Sequence, residues 1–179
     1  ALTVNGTSKP TSLGWEETIS STNWVHLAGS IAGSDIGYYF PGGASINAKR
    51  EARTGSWAAI NHSNGTPTNE ITRNYLTMWF DHGTAPNLTS DTYSYVLLPN
   101  KTSSQVSSYA SSPDITILEN STDAYAVKEN ILNITAVNFW NDIIKSVGII
   151  KCNRKASVVV KETSGNKIEV SVSDPTMKN

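Results

Sequence analysis

The 179 residues carry 14 basic and 15 acidic side chains, a net charge of −1 and one cysteine. A chain of this length buries about two-thirds of its unfolded surface without a metal or disulfide staple, and its near-neutral charge lacks the basic excess of a nucleic-acid binder. Ser, Thr and Asn number 23, 19 and 17; with 16% charged residues, five tryptophans and seven tyrosines, this is the composition of a packed, secreted β-protein rather than a disordered chain. No apolar run reaches 18 residues, which excludes a membrane-spanning helix. Ala1-Leu2-Thr3-Val4-Asn5 has neither the basic nor the apolar region of a signal peptide, so none is expected here.

Periodicity along the chain is mostly of period two. Trp24-Val25-His26-Leu27 and Ile168-Glu169-Val170-Ser171-Val172 alternate as half-buried strands should. Gly37-Tyr38-Tyr39-Phe40-Pro41-Gly42-Gly43 reads as a strand ending in a Pro-Gly turn, with its three aromatics divided between two faces. An exposed tyrosine there would suit stacking on a sugar ring. Leu76-Thr77-Met78-Trp79-Phe80 is apolar on both parities apart from Thr77, so the pattern predicts cover on both faces, from long sheets or a third layer. Tyr93-Ser94-Tyr95-Val96-Leu97-Leu98 is a strand stopped by Pro99. Asn100 to Asp114 is a Ser-rich loop with room for one short helix around Val106 and Tyr109, and Ser111-Ser112-Pro113-Asp114 is the expected domain boundary. Strands then follow at Ile115–Leu118, Ala124–Val127 and Thr135–Trp140. Val158–Val160 and Ile168–Val172 flank a hairpin loop at Thr163–Asn166. Short strands at this spacing, punctuated by Gly, Asn and Pro, indicate an all-β antiparallel sandwich.

Few groups in this pattern offer chemistry. Lys49-Arg50-Glu51-Ala52-Arg53-Thr54-Gly55-Ser56-Trp57 places two arginines three apart and a tryptophan four further on. Arginine offers a rigid donor fork for carboxylate or sulfate and tryptophan a flat face, so Arg50, Arg53 and Trp57 are the candidate substrate-binding residues for an acidic ligand. The same segment also suits a solvated strand. Asp81-His82-Gly83 invites a triad reading, but neighbours on a strand point opposite ways, and a turn with a structural histidine fits better. His26, His62 and His82 have no metal-ligand spacing, no acidic cluster has calcium-loop spacing, and no cofactor motif appears. Cys152 has basic neighbours but no nearby base, and reads as a strand-end residue that cannot form an internal disulfide. Six or more N-x-S/T sequons occur, including Asn5-Gly6-Thr7, Asn87-Leu88-Thr89 and Asn133-Ile134-Thr135, a density that this composition generates by chance.

Several of these segments together resemble the β-rich part of polysaccharide lyase family 8, the hyaluronate, chondroitin AC and xanthan lyases. The resemblance is carried, in order, by Ile36-Gly37-Tyr38-Tyr39-Phe40-Pro41, by Arg50 to Asn61, and by Trp79-Phe80-Asp81-His82-Gly83. It continues through Tyr93 to Asn100, Ile117-Leu118-Glu119-Asn120, Ala126-Val127 and Val172-Ser173-Asp174-Pro175-Thr176, covering about residues 24–177. It implies a secreted, extracellular bacterial enzyme with an N-terminal α/α toroid, a large antiparallel β-sandwich and a smaller C-terminal β-domain. Residues 1–113 would form the second half of the large sandwich, and residues 114–179 a truncated part of the small domain.

The implied activity is β-elimination on an acidic, uronic-acid-containing polysaccharide. The proton removed lies α to a carboxylate and is very weakly acidic, so the site must neutralise that carboxylate while a base takes the proton. The family's Asn, His, Tyr and Arg for this step lie on the toroid, and none maps onto this chain. The β-region would wall the cleft and support the toroid, and in xanthan-type members lend an arginine to an acidic group of the substrate; Arg50 and Arg53 are the candidates. Two alternatives come from other classes. A free-standing carbohydrate-binding module would present tryptophans such as Trp57 and end on a completed strand, whereas Asp174 to Asn179 follows a turn. A structural, adhesin-like sandwich would lack basic residues lining a cleft.

Overall fold

The computed structural model describes residues 1–83 and 93–177. The described residues fall into two units, 1–83 with 97–107, and 93–96 with 108–177. The first unit is built on β1 (Leu2–Val4), β2 (Thr7–Ser8), β3 (Glu16–Leu27) and β4 (Ile36–Gly55), then a short helix α1 (Trp57–Ile60), β5 (Ile71–Trp79) and β6 (Val96–Pro99). These strands make one sheet in the order β2-β1-β3-β4-β5, with β6 also paired to β4.

Strand β4 runs straight through Pro41, where the sequence pattern predicts an end. Trp24 stands opposite Tyr39 and Thr22 opposite Ala44, so β4 spends five residues where β3 spends two. Gly42 and Gly43 both sit at φ 80°, a left-handed conformation that glycine adopts without a Cβ penalty. The pair therefore forms a bulge, and the strand rejoins its ladder rather than turning away. Past the bulge, Ile46 and Ala48 on β4 pack with Leu76, Met78 and Phe80 in a core that also holds Leu2, Val4, Ile19, Val25 and Phe40.

That core explains Leu76–Phe80 differently from the pattern's expectation. Leu76, Met78 and Phe80 face the core, whereas Thr77 and Trp79 face the other way, and all five are half-buried. Among the described residues, cover on the second face comes from long cationic side chains: the Lys49 ammonium lies 6.0 Å from the Trp79 ring centroid. The expected short helix is α2 (Ser103–Ser111), and its Val106 is fully buried. A Cβ on Gly37 would lie 2.3 Å from Cγ2 of Val106, so only glycine lets the helix come this close to β4.

The second unit contains β7 (Ile115–Asn120), β8 (Ala124–Glu129), β9 (Ile134–Phe139), the hairpin β10 (Lys145–Val147) and β11 (Ile150–Cys152), then β12 (Ala156–Thr163) and β13 (Lys167–Ser173). Five of these form an antiparallel sheet in the order β13-β12-β9-β8-β7. Its inner face gathers Ala124, Ala126, Val137, Phe139, Ala156, Val158 and Val160, closed by Val147 and Ile150 of the hairpin. Cys152 ends β11, half-buried, its thiol 3.2 Å from the Arg154 carbonyl. Ile168–Val172 departs from the expected half-burial. Val172 and Val170 sit opposite Val158 and Val160, hence on the inner face, yet Ile168, Val170 and Val172 are 57%, 52% and 67% exposed. They border an open groove of about 320 Å³ with Ile149–Cys152.

The Gly37–Val106 approach yields a test. Gly37→Ala is expected to destabilise the chain by about 1–3 kcal/mol in urea unfolding, because valine is stiff at χ1 and cannot swing aside. Combined with Val106→Ala the two losses should fall short of their sum, whereas strict additivity would show that the contact is absent.

Candidate functional site

The face of β4 opposite the core collects most of the sheet's charge. Cross-strand partners share a face, so the register Asn47–Trp79, Lys49–Thr77, Glu51–Tyr75 and Arg53–Arg73 lays eight side chains on one two-stranded surface. Glu16 of β3 joins them opposite Lys49. The Arg53 guanidinium carbon lies 5.0 Å from the Tyr75 ring centroid, a cation–π distance. From there Arg53 reaches Glu51 at 2.5 Å and donates to the Thr77 hydroxyl at 3.1 Å. Lys49 holds the other Glu51 oxygen at 3.0 Å. Arg73 bonds the carbonyl of Thr72 and stands directly opposite Arg53, a like-charge pairing that disfavours the sheet unless an anion lies between the two. The Tyr75 ring is 46% exposed, so a flat face stands beside the guanidinium.

The three sequence candidates do not converge. Arg53 is on this solvent face. Arg50 is on the other, because residues three apart on a strand point opposite ways. Its Nε donates to the Pro10 carbonyl at 2.8 Å, and its Nη2 is buried without a hydrogen-bond partner. Its backbone also ties down residues 14 and 15: the Gly14 N–H donates to the Arg50 carbonyl, and the Arg50 N–H to the Trp15 carbonyl. Trp57 opens α1 just past β4 and is 58% exposed. Tyr75 and Arg73 escaped the sequence reading. Their role depends on the β4–β5 register, and the signal that was available is the alternation Arg73-Tyr75-Thr77-Trp79.

The remaining candidates have local duties. His26 is buried and lies 3.0 Å from Asp35, whose carboxylate also accepts the Gly29 N–H. The Gly29 bond first, then His26, hold the Asp35 pKa below the ordinary value. Asp81 accepts the Gly83 N–H, the geometry of a local turn. Tyr39 and Phe40 are buried and Tyr38 half-buried. Among the described residues no group of three His, Cys, Asp or Glu side chains is placed to hold a metal. Among the described residues no helix is long and apolar enough to cross a membrane. The Asn87 sequon lies outside the described residues.

The chain is similar to known proteins along its length. Two family models match: polysaccharide lyase family 8, super-sandwich domain, over residues 1–110, and polysaccharide lyase family 8, C-terminal beta-sandwich domain, over residues 116–179. The xanthan lyase of Bacillus sp. (strain GL1) is 52% identical over 100% of this chain and 19% of its own length. The hyaluronate lyase of Thermasporomyces composti is 34% identical over 96% of this chain and 21% of its own. Among solved structures, Paenibacillus xanthan lyase superposes with a TM-score of 0.94 at 60% identity, over 99% of this chain and 17% of that one. A Streptomyces coelicolor A3 chondroitin AC lyase gives 0.68 at 31% identity, over 90% and 20%. The chain thus spans about a fifth of the length of the curated relatives it matches.

The ion pairs at Glu51 have a sign that solution work can read. Hydrogen bonds from Lys49 and then Arg53 hold its pKa below the ordinary glutamate value. Its contribution to stability is therefore complete above the unfolded value and lost as pH falls through the lowered one. An NMR titration should place the Glu51 carboxyl midpoint below that of a free glutamate, and Lys49→Met or Arg53→Met should raise it. An ordinary midpoint in the unaltered chain would mean that the pairs do not form in solution.

Proposed function

We propose, since this chain belongs to polysaccharide lyase family 8, that it is the β-rich part of a secreted bacterial enzyme cleaving uronic-acid-containing polysaccharide by β-elimination. In this reading the sheet walls the substrate cleft and buttresses an α/α toroid supplied by the rest of the polypeptide, which holds the catalytic groups. The observation that carries the reading is the Arg53 face. An exposed guanidinium is kept in place by Glu51, Thr77 and Tyr75, beside an aromatic ring, with Arg73 and Lys49 to either side. A polyanion meets there both a charge to neutralise and a surface on which a sugar ring can lie.

Arg53, and not Arg50, is the residue that meets the substrate's acidic group. Arg50 braces the strand from its inner side through Pro10. Trp57 offers a second exposed ring past the strand's end. Such contacts, remote from the reacting carbon, hold the polymer in register with the base that removes the proton. Export follows from the substrate, a polymer that a cell degrades outside its envelope.

In the intact enzyme Arg53→Ala should raise KM for acidic polysaccharide about tenfold while lowering kcat less, the mark of lost binding rather than lost chemistry. Unchanged kinetics would remove Arg53 from the site. The ultraviolet absorbance of unsaturated uronate should develop with the intact enzyme and not with the 179-residue chain. Absorbance from this chain alone would place a complete catalytic centre within it.

A further inference from the structure

The outer face of the second unit's sheet carries a row of side chains with a chemistry of its own. Asn120 of β7 stands opposite Tyr125 of β8, and Tyr125 opposite Asn138 of β9. Asn138 in turn stands opposite Ser157 of β12, and Ser157 opposite Ser173 of β13. Direct partners share a face, so these five line up across the whole sheet, a span of about 19 Å at the usual strand spacing. Their neighbours Ala124, Phe139 and Ala156 are buried on the inner face, which fixes the row as outward. No member is charged.

Beside the row the Tyr125 and Trp140 rings meet at 79° with centroids 5.4 Å apart, forming a corner. They are 51% and 40% exposed. The corner is held from behind. The Trp140 N–H donates to the Asp123 carbonyl at 2.9 Å, and the Asn141 amide bonds the Asp123 carboxylate at 2.9 Å. Ser157 occupies one end of the Asn138 amide at 2.7 Å, and Ser94 one end of the Asn120 amide at 3.0 Å. The Asn120 Nδ2 that meets Ser94 also lies 3.4 Å from the Tyr93 carbonyl, so the Asn120 Oδ1 and the Asn138 Nδ2 carry no side-chain hydrogen bond among the described residues.

This combination fits one kind of ligand. A pyranose ring presents a C–H face that packs on an aromatic ring, and a rim of hydroxyls that both donate and accept. Asn and Ser likewise do both, and Tyr and Trp give rigid contact area at low entropic cost. We propose that this row binds an uncharged stretch of polysaccharide chain, with Tyr125 and Trp140 stacking on sugar rings and Asn120, Asn138, Ser157 and Ser173 meeting hydroxyls. The choice of polysaccharide as occupant rests on the lyase reading above. The surface binds without catalysing, and raises the local concentration of polymer.

The test is affinity electrophoresis of the 179-residue chain through gels containing hydroxyethylcellulose, an uncharged pyranose polymer, at low and high salt. The chain should be retarded equally at both. Tyr125→Ala and Trp140→Ala should each raise the apparent Kd about three- to tenfold, and Tyr125→Phe and Trp140→Phe should retain binding. An NMR titration of the unaltered chain with a cello-oligosaccharide should shift the Trp140 indole and Asn138 amide signals, and needs no variant to fold. Absent retardation, equal retardation of the alanine variants, or unmoved Trp140 and Asn138 signals would overturn the proposal. If the intact enzyme lacks lyase activity while the neutral polymer still binds, the functional reading fails and this surface stands. Activity without such binding sinks the surface alone.

Discussion

Register along β4 is the constraint on which the first unit depends. This strand holds β3 on one side and β5 and β6 elsewhere along its length, and its alternation decides which side chains see water. Ile46 and Ala48 are nearly inaccessible, and that burial fixes the parity of everything after them. A slip of one residue would drive Arg53 into the core and turn Arg50 out, exchanging an apolar face for a charged one. The Pro41-Gly42-Gly43 bulge makes one long strand compatible with two stretches of β3, since it absorbs the surplus residues without losing the ladder.

Within that frame the charged face is better understood as positioning than as stabilisation. Exposed ion pairs contribute little to folding, and Glu51 and Arg53 are both partly open to solvent. What Glu51 does is geometric: held by Lys49 and Arg53 from either side, it fixes two long side chains that would otherwise sample many rotamers. Three cations against Glu51 and Glu16 leave the surface positive within a chain of net charge −1. The Arg53–Arg73 juxtaposition is where that excess is concentrated.

The strands were legible wherever a period-two pattern was bounded by turn formers, as at Ala124–Val127, Thr135–Trp140 and the Thr163–Asn166 hairpin. The continuation of β4 was not, because Pro41 and two glycines mark a turn locally, and only pairing with β3 shows that the ladder resumes. The exposure of β13 was equally hidden: alternation reports which face a residue takes, not whether anything lies over that face. The candidate site was half legible. Arg53 stood out by residue type, but grouping it with Arg50 ignored that a spacing of three is cofacial on a helix and opposed on a strand. Tyr75 and Arg73 become partners only through a register that no local window contains.

The distribution of polar chemistry over the chain bears on what it can contribute to a reaction. Abstracting a weakly acidic proton needs a base and a charge stabiliser held rigidly at the same carbon. Here several residues of these types are committed to separate structural pairs: His26 with Asp35, Tyr109 with Asp114, Arg50 with the Pro10 carbonyl. What stands open to a ligand is of another kind, flat rings beside donors, charged on the first unit and neutral on the second. In the proposed enzyme both are binding surfaces. Binding realised far from the scissile bond accelerates a reaction when it orients or distorts the substrate at the reacting centre. In that proposal one sheet grips the polymer by charge and the other by stacking, and the chemistry falls to residues outside both.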